Sequence, residues 1–123
     1  MAKVFLDANV FIDLIEKRKP ISIEELSLHT LYLSPLSVHI MIYLYKYKIP
    51  DERLANIDRF FKLVPFNTRL TVQALDGPTA DFEDNIQLHS AAEAECDTFL
   101  TSDDQLLKMK FFGKVKILSA PTK

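Results

Sequence analysis

Three aspartates in this chain are spaced so that they could share one piece of chemistry. Asp7 ends the apolar run Val4-Phe5-Leu6, and Asp103 follows the run Thr98-Phe99-Leu100-Thr101. Asp84 opens a segment in which Leu88, Ala91 and Ala92 recur at i+4, i+7 and i+8, so it heads the inward face of a helix. Converging carboxylates offer hard oxygen donors, which suit Mg²⁺ or Mn²⁺ with several waters retained. Such an ion lowers the pKa of a bound water and clamps a phosphate. Each aspartate also has a plainer use, because Asp is a favoured N-cap and complements the helix dipole. Asp7 and Asp103 could each cap the helix that follows, and Asp84 could complement the dipole of a helix capped by Asp81. The three together carry more than any one of them.

Asn9, two positions after Asp7, is placed to hydrogen-bond a carboxylate of the site, or else is a first-turn helix residue. Asp13, Glu16, Glu93 and Glu95 read as solvated helix charges. His29, His39 and His89 have no mutual metal-ligand spacing, and His29 and His89 read as structural or surface residues. Tyr43, Tyr45 and Tyr47 form a packing or interface cluster. Lys108, Lys110, Lys114 and Lys116 lie close together and could meet phosphates, although a solvated face is the simpler use.

The elements that must position these residues alternate. Val4–Leu6 reads as a buried strand, and Val10, Phe11, Leu14 and Ile15 recur at helical spacing directly after it. Lys17-Arg18-Lys19-Pro20 stops that helix, and Ser22-Ile23-Glu24-Glu25 has capping-box spacing for a second. Leu31–Leu33 is a second strand, followed by a helix capped by Ser37 and running to about Tyr47. Leu54, Ile57 and Phe61 mark another helix, Leu63–Phe66 a short third strand with Pro65 at an end or edge, and Leu70–Leu75 a short helix. After the loop Asp76-Gly77-Pro78-Thr79 comes a longer helix from Asp81 to about Glu95. Thr98–Thr101 is a fourth strand, a short helix ends near Gly113, and Val115–Leu118 is the last strand. This order predicts an α/β fold with a central, mostly parallel sheet of about five strands flanked by helices. In such sheets ligands sit outside the carboxyl ends of the strands, which is where Asp7 and Asp103 fall.

The 123 residues fit one domain, 1–123, and a hydrophobic share of 48% is enough for a real core. One cysteine, Cys96, can form neither an internal disulfide nor a zinc cage, which fits a reducing, cytoplasmic compartment; it reads as a partly buried small residue near a helix end. No secretory leader and no apolar run of membrane-spanning length is expected. A net charge of −2 argues against broad, non-specific nucleic-acid binding, but a carboxylate site with its ion is compatible with a nuclease. Two glycines are too few for a P-loop or a dinucleotide fingerprint. A haloacid-dehalogenase-type phosphotransferase would want an aspartate where Asn9 stands.

The segments carrying the acids resemble the PIN-domain superfamily. Val4-Phe5-Leu6-Asp7-Ala8-Asn9-Val10-Phe11-Ile12-Asp13 resembles its first motif. Asp81-Phe82-Glu83-Asp84-Asn85-Ile86-Gln87 is similar to the third, and Phe99-Leu100-Thr101-Ser102-Asp103 to the fourth. Ile117-Leu118-Ser119-Ala120-Pro121 looks like the closing strand. The resemblance covers essentially the whole chain and implies a three-layer PIN-like fold. It implies Asp7, Asp84 and Asp103 as catalytic, metal-binding acids, with Asn9 and Ser102 orienting them, and Mg²⁺- or Mn²⁺-dependent endoribonuclease activity. It also implies the role of a VapC-like toxin that acts on RNA, forms a homodimer and is inhibited by a small antitoxin protein. The chain departs from the pattern at the second motif. The usual glutamate falls on Ile40, or on His39 if the register slips by one, so the match is to a subgroup lacking it and His39 is a possible substitute ligand. The alternative is a catalytically weak or inactive PIN-like module that binds RNA or a partner protein.

Overall fold

The computed structural model describes residues 1–18 and 23–121. Strand β1 (Lys3–Leu6) leads through Asp7 directly into helix α1 (Ala8–Glu16). Helix α2 (Ile23–Ser27) precedes β2 (Thr30–Leu33), and α3 (Pro35–Tyr45) follows. The short α4 (Ile57–Phe60) and β3 (Lys62–Leu63) come next, then α5 (Thr68–Asp76), α6 (Phe82–Glu93) and β4 (Thr98–Leu100). The chain closes with α7 (Asp104–Met109), β5 (Phe111–Phe112) and β6 (Val115–Leu118).

The strands form one sheet in the order β3-β2-β1-β4-β6-β5. All neighbours pair in parallel except β5 with β6. The chain builds outward from β1 through β2 to β3, then returns to the other side of β1 to lay down β4 and β6. The order therefore reverses between β1 and β4. At such a switch point the helices leave on opposite faces and open a crevice beyond the carboxyl ends of the two strands. Leu6 pairs with Leu100 at that end.

The period-two alternation of strand side chains divides the core in two. Val4, Leu6 and Leu100 face one way, with Phe11 of α1, Met41 of α3 and Phe61. Phe5, Phe99 and Ile117 face the other way, with Leu88 and Ala91 of α6 and Leu106 of α7. Phe5 and Phe99 are register partners on adjacent strands, and their rings stack at 5.6 Å between centroids. Burying each of these large side chains contributes about 1.5–3 kcal/mol.

The structure corrects the sequence reading at several element ends. Six strands are present among the described residues, because Phe111-Phe112 leaves the helical path and pairs antiparallel with β6 across a turn in which Gly113 has φ +60°. That left-handed conformation suits glycine. Ser34, not Ser37, caps α3: its Oγ accepts from Leu36 N at 3.1 Å, and Pro35 sits at the first helical position, where a missing N–H costs nothing. Strand β3 stops at Leu63, although Val64 N still donates to Leu33 O at 2.9 Å; Pro65 then has no N–H to continue the ladder. The helix expected around Leu54–Phe61 is a turn followed by the four-residue α4. Asn67 starts α5 earlier than expected by accepting from Leu70 N at 2.9 Å. Lys19, Pro20 and Ser22, read as helix stop and cap, lie outside the described residues.

Candidate active site

Asp7 holds the N-cap position of α1, yet its side chain makes no capping hydrogen bond. It is 3% exposed and turns inward, where the Thr101 hydroxyl donates to its Oδ2 at 2.7 Å. The Gln87 side chain and the Ala8 N–H lie beside the carboxyl and pull its pKa down. Gln87 lies on α6 three residues after Asp84, and its Oε1 accepts from Ala8 N at 2.7 Å, doing the work a capping aspartate would have done. The Ser37 hydroxyl of α3 reaches the same Oε1 at 3.4 Å. Burial pushes the Asp7 carboxyl above its ordinary value, against the opposing pull of Thr101, and the charge of Asp103 adds to the rise.

Asp103 does cap its helix. Its Oδ1 accepts from Gln105 N at 2.8 Å and Leu106 N at 3.4 Å, while its own N–H donates to Thr101 Oγ1 at 3.0 Å. Asp84 sits in the first turn of α6, behind the cap Asp81, whose Oδ1 accepts from Asp84 N at 2.9 Å. Half-burial, and after it the charges of Asp81, Asp7, Asp103 and Glu83, together raise the Asp84 carboxyl to about 7. The three acids thus lie within electrostatic reach of one another at the switch point. Among the described residues, no three His, Cys, Asp or Glu side chains are close enough to enclose an ion by themselves.

Asn9 and Ser102 are exposed and line a different concavity of about 360 Å³, together with Asp13 and Arg18. The hydrogen bond found at the Asp7 side chain comes instead from Thr101, with Gln87 beside it. Both are buried polar residues, Gln87 on the inward face of α6 and Thr101 directly after a strand, and a buried amide or hydroxyl needs a partner. Their positions along the chain mark them only as polar groups near the core, and which partners they take is set by the fold. Asp13 is corrected from a solvated charge: it is 4% exposed, and Arg18 holds its Oδ1 through Nε and a terminal nitrogen, each at 2.7 Å. His29 Nδ1 accepts from Ala2 N, and His89 Nε2 lies 2.9 Å from Gly77 O, both structural roles.

A sequence model of the PIN domain matches residues 4–112 of the chain. The chain belongs to the PIN domain family. No curated protein matches it. Its fold is similar to that of solved PIN-type structures of low sequence identity. One is a chain of VapBC2 from Rickettsia felis bound to a DNA fragment from their promoter, at 15% identity and a TM-score of 0.67, with 94% of this chain and 97% of that chain covered. Another is a chain of DNA-bound VapBC from Salmonella typhimurium, at 17% identity and a TM-score of 0.62, with 96% and 98% covered.

Ile40 and His39 are the two positions where the sequence resemblance expects a second-motif glutamate. Ile40 is half-buried and packs against the core beside α1. It lies one helical turn beyond Ser37, on the side of α3 that faces Gln87. His39 is exposed and stacks on Tyr43, at 6.3 Å between ring centroids.

Proposed function

We propose that this PIN domain is a metal-dependent endoribonuclease that acts in the cytoplasm as the toxin of a toxin–antitoxin pair. The observation that carries this reading is the gathering of Asp7, Asp84 and Asp103 beyond the carboxyl ends of β1 and β4, with Asp84 raised to about 7. Carboxylates placed so that each opposes the ionisation of the next are relieved by a proton or by a cation. The donor set is all oxygen, which fits Mg²⁺ or Mn²⁺. A shell in which one or two carboxylates are completed by water and substrate phosphate is the usual one for Mg²⁺.

When bound, the ion would supply a water of lowered pKa and a counter-charge for the phosphodiester. The chain's own part is to hold the donors still. Thr101 fixes Asp7 and receives the N–H of Asp103, so one hydroxyl ties two acids together. Gln87 accepts the Ala8 N–H at the start of α1, beside Asp7. Ser37 orients that amide from α3. Asn9 and Ser102, with Arg18, border the neighbouring concavity, where they would meet the flanking strand of RNA rather than the acids.

Two further features support the biological setting. Two folds similar to this one come from VapBC structures, which favours a small antitoxin partner here. Tyr43 and Leu44 of α3 and Val72 and Leu75 of α5 are exposed apolar side chains, which favours a homodimer. Among the described residues, no helix is long and apolar enough to cross a membrane.

Ile40 favours a second reading, in which the loss of one carboxylate leaves a module that binds RNA or a partner protein without cutting. Cleavage of a defined RNA with Mn²⁺, with EDTA, and by Asp7→Asn and Asp84→Asn separates the two. Cleavage abolished by EDTA and by either substitution supports the nuclease. Cleavage indifferent to Asp7→Asn and Asp84→Asn would sink it.

A further inference from the structure

A concavity of about 520 Å³ opens beside Asp84, between the loop that precedes α6 and helix α7. Its volume falls in the range of about 300–1,000 Å³ typical of small-ligand pockets. Pro78, Leu106 and Met109 give it apolar walls, and Asp81, Asp84 and Gln105 give it a polar edge. No lysine, arginine or histidine lines it among the described residues, so nothing in it would attract a phosphate.

The loop wall is built rather than incidental. Asn85 is buried and uses its whole amide on it. Its Oδ1 accepts from Thr79 N at 2.9 Å and Thr79 Oγ1 at 2.7 Å. Its Nδ2 donates to Ala74 O at 2.9 Å and Thr79 O at 2.8 Å. Gly77, at φ +133°, supplies a backbone conformation that side-chain-bearing residues rarely adopt. The concavity is therefore preformed, and Asp84 belongs both to it and to the acid cluster.

We propose that this concavity binds the nucleobase adjacent to the cleaved phosphate, an inference that rests on the nuclease reading above. A base is the uncharged, flat, amphipathic part of a nucleotide. It needs apolar walls for its faces and hydrogen-bonding groups for its edge. The Asp81 carboxylate at the edge is an acceptor only, so it selects bases that present an exocyclic amino group. Adenine and cytosine fit better than uracil. Gln105, which can donate and accept, completes the edge.

Nucleosides test this without cleavage or metal. The chain has three methionines, of which Met109 lines the concavity, Met41 is fully buried and Met1 is exposed. Titration of methyl-labelled full-length protein with adenosine, cytidine and uridine should move the Met109 methyl resonance saturably, leave Met41 and Met1 in place, and give the weakest affinity for uridine. Ala80→Trp, a filling substitution at an exposed lining position, should weaken adenosine binding by about tenfold or more, the scale of one lost base stack. Mn²⁺ binding by the same variant should be retained. An unmoved Met109, equal affinity for uridine, or undiminished binding by Ala80→Trp overturns the proposal. If Met109 stays silent while the protein still cuts RNA through Asp84, the pocket assignment fails alone. If Met109 responds while no cleavage occurs, the nuclease reading fails and the base-binding site stands.

Discussion

The Thr101 hydroxyl donates to Asp7 Oδ2 at 2.7 Å, joining residues 94 positions apart that follow adjacent parallel strands. Its oxygen also accepts the backbone N–H of Asp103 at 3.0 Å. Thr101→Val keeps the shape and removes both contacts, leaving a buried carboxylate short of a donor. Stability should fall by about 1–3 kcal/mol in urea unfolding. Mn²⁺ affinity by calorimetry should fall by about 10–100-fold, as it does when outer groups that orient ligands are lost. Thr101→Ser should recover most of both. Unchanged Mn²⁺ affinity in Thr101→Val would remove Thr101 from the site.

The raised Asp84 carboxyl gives a pH dependence of definite sign. Its folded value, about 7, lies above its ordinary 3.8, so between those values the folded protein holds more protons than the unfolded chain. Stability is then greatest below the unfolded value and declines as pH rises towards and through the folded one. The metal-free protein should lose about 1–2 kcal/mol through this group between pH 4 and pH 8, the full shift being discounted for solvent screening. Asp84→Asn should flatten that decline, and saturating Mn²⁺ should offset it in the parent protein. Thermal melts at a series of pH values, with and without metal, read both effects.

Ile40 invites the reverse experiment. Ile40→Glu places a carboxylate one turn from Ser37, on the helix face that reaches Gln87. A half-buried, unpaired carboxylate should destabilise the metal-free protein by about 1–2 kcal/mol. An added carboxylate near the cluster should tighten Mn²⁺ binding by about tenfold, since affinity follows ligand charge. Calorimetry on Ile40→Glu, and on Ile40→Glu combined with Asp84→Asn, tests whether the two acids act on one ion. Tightening that survives the loss of Asp84 would mean a separate site.

Cys96 should be inert in the folded protein. It is 3% exposed beyond the end of α6, and burial pushes its thiol up to about 12, against the pull of the Lys3 charge. The thiolate is the reactive form, so a disulfide-exchange reagent at pH 8 should label the native chain only at its unfolding rate and the urea-denatured chain completely. Prompt labelling of native protein would contradict the packing around Phe99 and Ala91.

Much of the frame was written locally. The run Val4-Phe5-Leu6 before Asp7, the inward stripe behind Asp84, and the alternation of strand and helix depend on periodicity, which neighbouring residues alone express. They suffice for a parallel α/β sheet with acids at its carboxyl edge. Element ends were less legible: Ser34 and Ser37 both suit a cap, and the local sign that favours Ser34 is Pro35 directly after it, at the first helical position.

What holds the acids was not legible at all. Whether Asp7 caps α1 or turns towards Thr101 depends on Gln87, 79 residues from Ala8, taking the Ala8 N–H. The burial of Asp13 depends on Arg18 folding back over the end of α1. Sequence alone determined which residue types were available and which face of an element they share. Tertiary structure decided which buried polar groups satisfy one another, because a hydrogen bond between distant segments is fixed by strand order and register, and neither is encoded within any one segment.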